Sequence, residues 1–174
     1  MVRGRPNPRH LGLPARVRKT RKNSGLTRNQ VVQRIGGGQT AARDIESGER
    51  IPTVGTVARL ASALGVCAGW LGYGLGELIA EGATVTTDGL GARLTSIRSE
   101  RGLTKAALAR QVGLSPSTVA DIEKGAQTGV DVLESLAKAL GVSPAWLAFG
   151  EGPREIHKKR RTRAASVQAA DAGR

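Results

Sequence analysis

The sequence predicts an all-α protein made of two tandem units of five short helices each, flanked by basic, flexible tails. Three observations carry that reading. The chain repeats itself: Gly25-Leu26-Thr27 recurs as Gly102-Leu103-Thr104, and Asp44-Ile45-Glu46 with Gly48 recurs as Asp121-Ile122-Glu123 with Gly125, both at an offset of 77. Further on, LASALGV from Leu60 recurs as LAKALGV from Leu136, and Trp70-Leu71 as Trp146-Leu147, now at an offset of 76. Self-similarity at a fixed period marks a repeated structural unit. Composition agrees: apolar residues make up 39% of the 174 but aromatics only 2%, so the cores must be built from Leu, Val, Ile and Ala. Sheets favour aromatic and β-branched side chains, so small helical units fit better. Finally, the apolar residues fall at helical spacing between glycine and capping signals.

The repeats are placed at 13–77 and 90–152, with a basic arm at 1–12, a connector at 78–89 and a basic tail at 153–174. In the first repeat Leu13 and Val17 face the core, Thr27 caps the second helix, and Val31 and Ile35 line it. Gly36 begins a turn, Ala42 and Ile45 point inward from the third helix, Val54, Val57, Leu60 and Leu64 drive the fourth, and Trp70 serves the fifth. The second repeat runs in parallel. Leu90, Leu94 and Ile97 form the first stripe, and Thr104 caps a helix carrying Leu108 and Val112. Gly113 ends that helix, where glycine tolerates positive φ. Ser115-Pro116 supplies a cap and a first-turn proline for the third helix, with Val119 and Ile122 buried. Val130, Leu133, Leu136 and Leu140 form the fourth helix, and Ser143-Pro144 opens a fifth with Trp146 and Leu147 inward.

Net charge is +13, and its location matters more than its sum. Residues 1–22 carry eight bases and no acid, and residues 153–174 seven bases and two acids, while residues 23–152 between them are neutral in sum. Such a balance points to a polyanionic partner, nucleic acid first, with a merely soluble basic protein as the bland alternative. The single Cys67 excludes an internal disulfide and fits a reducing cytoplasm. The N-terminus has no apolar signal-peptide core, and the longest uncharged run, Leu60 to Gly76, is too short and glycine-rich for a membrane span.

No enzyme site emerges. His10 and His157 lie in the tails, so no metal or catalytic cluster is expected, and no cofactor or small-molecule ligand is implied. Gly36-Gly37-Gly38 lacks the Gly-Lys-Ser/Thr of a phosphate loop, and GYGLGE from Gly72 follows a helix rather than a strand. Cys67 aligns with Ser143 at a helix N-terminus, where a structural role is the simpler reading than a reactive thiolate. Glu46 and Glu123 follow a buried Ile and read as structural.

The second repeat, with Thr104, Ala109, Gly113, Leu114, Ser115, Val119, Ile122, Glu123 and Gly125, resembles the helix-turn-helix family of phage repressors and Cro, the XRE-like or lambda repressor-like class. The tails ALGVCAGWL and ALGVSPAWL look like the end of the same domain. Two matches in register cover about 130 residues. The first repeat departs at Val32, Gly37, Gly38 and Ala42. Where the second pairs Ala109 with Val119, the first pairs Val32 with Ala42, a volume-conserving exchange that predicts contact between those two side chains. Gly37 and Gly38 have no such compensation and predict a looser turn before the third helix.

The resemblance implies that the third helix enters the major groove of double-stranded DNA while the second crosses the backbone. The base-reading candidates are then Gln39, Thr40, Arg43 and Asp44 in the first repeat and Ser117, Ala120 and Asp121 in the second. Gln39 suits adenine and Arg43 guanine, whereas Ser117 discriminates little and Pro116 replaces a polar reader. Phosphate contacts are implied at Arg21, Arg28 and Asn29. Arg50 is a further candidate, as are Arg98, Arg101, Lys105, Lys124 and Gln127 in the second repeat. Arg3, Arg5 and Arg9, and Lys158, Lys159, Arg160 and Arg161, read as DNA arms or as solvated tails.

The expected function is a cytoplasmic, sequence-specific transcription regulator of the repressor, phage-immunity type, with the first repeat the main reader. The second repeat either reads a different half-site or serves packing and dimerisation. A single chain using both repeats would bind an asymmetric site, and a homodimer an inverted repeat. The alternative function is an antitoxin or anti-repressor-like interaction protein whose second repeat binds protein. The 22 residues after the second repeat are too few for a self-cleaving C-terminal domain, so control by autocleavage is not expected.

Overall fold

The computed structural model describes residues 8–78 and 89–155. A 3-10 turn at Arg9–Gly12 leads into α1 (Leu13–Asn23), α2 (Arg28–Ile35), α3 (Ala41–Ser47), α4 (Val54–Leu64) and α5 (Ala68–Tyr73). After the connector come α6 (Leu90–Glu100), α7 (Lys105–Val112), α8 (Pro116–Glu123), α9 (Val130–Leu140) and α10 (Pro144–Phe149). Among the described residues there is no strand, only one isolated antiparallel bridge between Thr53 and Gly129. The all-α class and the two five-helix units are therefore as expected.

The helix starts follow from side chains that satisfy otherwise orphaned backbone donors. Thr27 forms a reciprocal capping box with Gln30, and Thr53, Thr104, Ser115 and Ser143 cap α4, α7, α8 and α10. Gly36 and Gly113 sit in the left-handed region at φ 65° and 72°, ending α2 and α7 and opening the turns before α3 and α8. Only glycine takes that conformation without steric cost.

Equivalent helices pack in equivalent ways. α3 lies on α1 and α2, and α8 on α6 and α7. Val32 and Ala42 are both buried, as are Ala109 and Val119 at the matching positions. Arg16 donates to the carbonyl oxygens of Leu71 and Gly72 at the end of α5. Its counterpart Arg93 does the same for Leu147 and Ala148 at the end of α10. A cation at a helix C-terminus meets the negative end of the helix dipole and its unpaired carbonyls.

One apolar cluster runs through both repeats, and α5 packs along α10. Three expectations need correction. The N-terminal arm is not free as far as residue 12, because Arg9–Gly12 is a 3-10 turn packed on α5 and α9. Trp70 and Trp146 are half-buried rather than enclosed, and Arg154 lies 5.5 Å over the Trp146 ring. Val112 is also only half-buried, packed at the edge of the cluster. The likeness of the repeats hides the shared core, since residues that bury a face inside one unit look the same as residues that bury it against a twin.

Candidate nucleic-acid interface

The outward face of each third helix is set by what the inward face buries. Ala41, Ala42 and Ile45 are buried on α3, and Val119 and Ile122 on α8. Gln39, Thr40 and Arg43 are exposed, and Asp44 is half-buried with its carboxylate 3.4 Å from the Arg43 guanidinium. On α8, Ser117 and Asp121 are exposed and Ala120 half-buried. Among the described residues α3 packs chiefly on α1 and α2, and α8 on α6 and α7.

The two third helices start differently. Ser115 accepts from the Thr118 backbone N–H at 3.1 Å, and α8 begins at Pro116. Gly38 stands at the equivalent place in the first repeat and has no side chain to offer. α3 therefore begins only at Ala41, after a cap residue, Thr40, that makes no side-chain cap bond. Gln39 and Thr40, expected on the helix, lie in the turn before it. Their backbone is thus less constrained than that of Pro116 and Ser117.

Beneath each face lies a buried carboxylate. Glu46, whose side chain is 0% exposed, receives Arg21 Nε at 2.5 Å and Arg28 Nε at 2.9 Å. Glu123 receives Arg98 Nε at 2.6 Å, with Lys105 Nζ at 3.4 Å. Each clamp joins the first, second and third helices of its repeat. Burial opposes ionisation of Glu46, yet the hydrogen bonds and charges of Arg21 and Arg28 hold its carboxyl below the ordinary value.

This clamp revises the phosphate candidates. All three nitrogens of Arg21 donate inside the protein, to Glu46 and to the Leu26 carbonyl. Arg98 does the same with Glu123 and the Leu103 carbonyl. With three of their five N–H donors engaged and their side chains only 12% and 13% exposed, both act first as positioning residues for the third helices. Arg28 and Lys105 remain about half exposed and keep donors outward, at 46% and 45%. Asn29, Arg50, Arg101 and Lys124 are exposed. Gln127 is exposed too, but its side chain lies over Gly55 at the start of α4, on the seam between the repeats.

Arg9, proposed for an arm, has its backbone N–H on Glu134 at 2.7 Å and its carbonyl bonded by Arg16. Its backbone is therefore part of the folded body. Arg3, Arg5, Lys158, Lys159, Arg160 and Arg161 lie outside the described residues. Cys67 occupies the cap position of α5 without a side-chain cap bond, and burial together with Glu151 and Glu77 pushes its thiol pKa up. That is opposite to what a reactive thiolate needs.

The Arg–Glu clamps and the Arg16 and Arg93 caps were missed by sequence reasoning. A signal existed: Arg16/Arg93, Arg21/Arg98 and Glu46/Glu123 all recur at the offset of 77. Charged residues that recur where exposed positions have diverged are candidates for buried pairing.

The family described as "Helix-turn-helix domain" matches residues 13–69, and the family described as "Helix-turn-helix" matches residues 94–147. The two matches coincide with the two sets of stacked helices. The chain is a tandem helix-turn-helix protein of the XRE-like class. Part of the chain is also similar to the HTH-type transcriptional regulator PrtR of Pseudomonas aeruginosa, at 37% identity over 68 residues. That stretch is 39% of this chain and 27% of the relative, so the tandem protein shares about a quarter of the relative's length. No solved structure matches the chain. Among the described residues no helix of this tandem protein is long and apolar enough to cross a membrane. No group of His, Cys, Asp and Glu among them is placed to hold a metal ion.

Proposed function

We propose that the chain is a sequence-specific double-stranded DNA-binding transcription regulator of the repressor, phage-immunity type, with the first repeat its main reader. The observation that carries this is the exposed set Gln39, Thr40 and Arg43, backed by a helix whose other face is anchored by Ala42, Ile45 and the Glu46 clamp. Arg43 on that anchored helix suits a guanine read bidentately, and Gln39, in the turn ahead of it, suits an adenine. Arg28, Asn29 and Arg50 lie exposed on or beside α2 and α3, where phosphates would flank such a groove contact. A regulator bound in this way represses by occupying promoter DNA.

The test is DNase footprinting on the DNA upstream of the chain's own gene, with wild type and Arg43→Ala. A discrete protected site that weakens about tenfold or more in the variant supports the reading. Uniform, sequence-independent protection that Arg43→Ala leaves unchanged refutes it. The alternative, an antitoxin or anti-repressor-like protein whose second repeat binds protein, has no specific observation in its favour.

A further inference from the structure

The surface joining the two repeats has a property expected of a symmetric dimer: equivalent residues meet each other. Thr53 bridges Gly129, its counterpart at the offset of 76. The flanking bonds are reciprocal, Val54 N–H to the Thr128 carbonyl at 2.9 Å and Val130 N–H to the Pro52 carbonyl at 3.2 Å. Tyr73 and Phe149, also counterparts, pair with ring centroids 6.4 Å apart. Gly69 faces its counterpart Ala145 so closely that a Cβ at Gly69 would come within 2.6 Å of the Ala145 methyl. Self-complementary contact of this kind is the signature of a two-fold interface. Here both halves belong to one chain.

The same surface is unlike on its two sides, which settles which repeat pairs with which. α5 has no capping side chain of its own, and Glu151 from the second repeat accepts from the Ala68 and Gly69 N–H groups at 3.1 and 2.7 Å. α10 needs no such help, because Ser143 caps it. Glu134 on α9 accepts the Arg9 and His10 N–H groups at 2.7 and 3.0 Å, and its Oε2 lies 2.7 Å from His10 Nδ1. The positions in the first repeat that match Glu134 and Glu151 are Ala58 and Leu75, which can accept nothing. Two first repeats would therefore leave α5 uncapped, and two second repeats would force one Ala145 methyl onto another. Only the unlike pair satisfies both sides.

We propose that one chain is its own dimer: it binds a single duplex one to one, reading two unlike half-sites in inverted orientation about one helical turn apart. This rests on the DNA-binding reading above. α3 and α8 are counterparts across this seam, and each packs chiefly on the first two helices of its own repeat, so the seam is built without them. The second repeat thus reads DNA through Ser117 and Asp121 as well as bracing the first. Half-sites about 10 bp apart are the spacing at which two such helices enter successive major grooves on one face of DNA.

The experiment uses the full chain and a 40-bp duplex obtained by selection from a random library, with the mass of free protein and complex measured by light scattering. The expected result is a free mass of one chain, 18.1 kDa, and one chain per duplex. Gln39→Ala/Arg43→Ala and Ser117→Ala/Asp121→Ala should each weaken binding several-fold or more and erase protection over a different half of one asymmetric footprint. Gly69→Leu, which wedges the seam open, should reduce affinity for the full site to near that for a half-site. The surface variants do not touch the core, so they decide the matter even if Gly69→Leu fails to fold. Two chains on a symmetric site, with Ser117→Ala/Asp121→Ala indistinguishable from wild type, overturn the inference and leave the DNA-binding function standing. Failure to enrich any duplex overturns that function itself.

Discussion

Replacing Glu46 with Gln removes one negative charge while keeping the shape of the side chain. The carboxylate is 0% exposed and the Arg21 side chain only 12%, whereas Arg28 is nearly half exposed and can turn to water. Breaking a buried ion pair by removing one partner costs about 3–5 kcal/mol. The low end applies here, about 3 kcal/mol, because only one of the two arginines is trapped. For a chain of this size each kcal/mol lowers Tm by about 2–4 °C, so Glu46→Gln should melt about 6–12 °C below wild type at pH 7. The pH dependence has a definite sign. The folded-state pKa of Glu46 lies below its ordinary value of 4.5, so its stabilisation is complete above that value and is lost as pH falls through the folded one. Thermal melts followed by circular dichroism at pH 7 and pH 3 should therefore show the gap between variant and wild type shrinking in acid. A Tm drop below about 2 °C at pH 7, or an equal drop at both pH values, would refute the clamp.

Gly38→Ser restores the missing cap of α3 at a position where a Cβ meets nothing within 4 Å. A gain of about 0.5–1 kcal/mol, a Tm rise of roughly 1–4 °C, is expected from the cap and the lost glycine entropy, and an unchanged Tm would show that the turn resists helix formation. Tyr73→Phe removes the hydroxyl that donates to the Val130 carbonyl at 3.2 Å across the seam. It should cost about 1 kcal/mol in urea unfolding with no change in m-value, and a loss below a few tenths would mean that the bond contributes nothing net. Glu134→Gln should raise amide exchange at Arg9 and His10 without affecting Ala68 and Gly69. In wild type the same loosening should appear as pH falls through the lowered folded pKa of Glu134, and equal protection at pH 3 and pH 7 would contradict it.

The repeat, the all-α class, the ten α-helices among the described residues and the inward residues of α3 and α8 were legible in the sequence. Each depends on local periodicity and on caps within a few residues. The reading faces followed by subtraction, since a helix with Ala42 and Ile45 inward must show Arg43 outward. What could not be read was whatever joins residues far apart in the chain. Glu134 and Arg9 are 125 residues apart, and Glu151 and Ala68 are 83 apart. No local pattern distinguishes a carboxylate bound for a distant backbone N–H from one bound for water. The start of α3 was also misjudged, because helical periodicity marks a face but not the first residue, which here depends on the absence of a capping side chain at Gly38. The sequence by itself determined that there are two helix-turn-helix units and which side chains each presents. Only the tertiary structure decided that they form one body, because a two-fold seam is made of residues that, taken one repeat at a time, are indistinguishable from ordinary core.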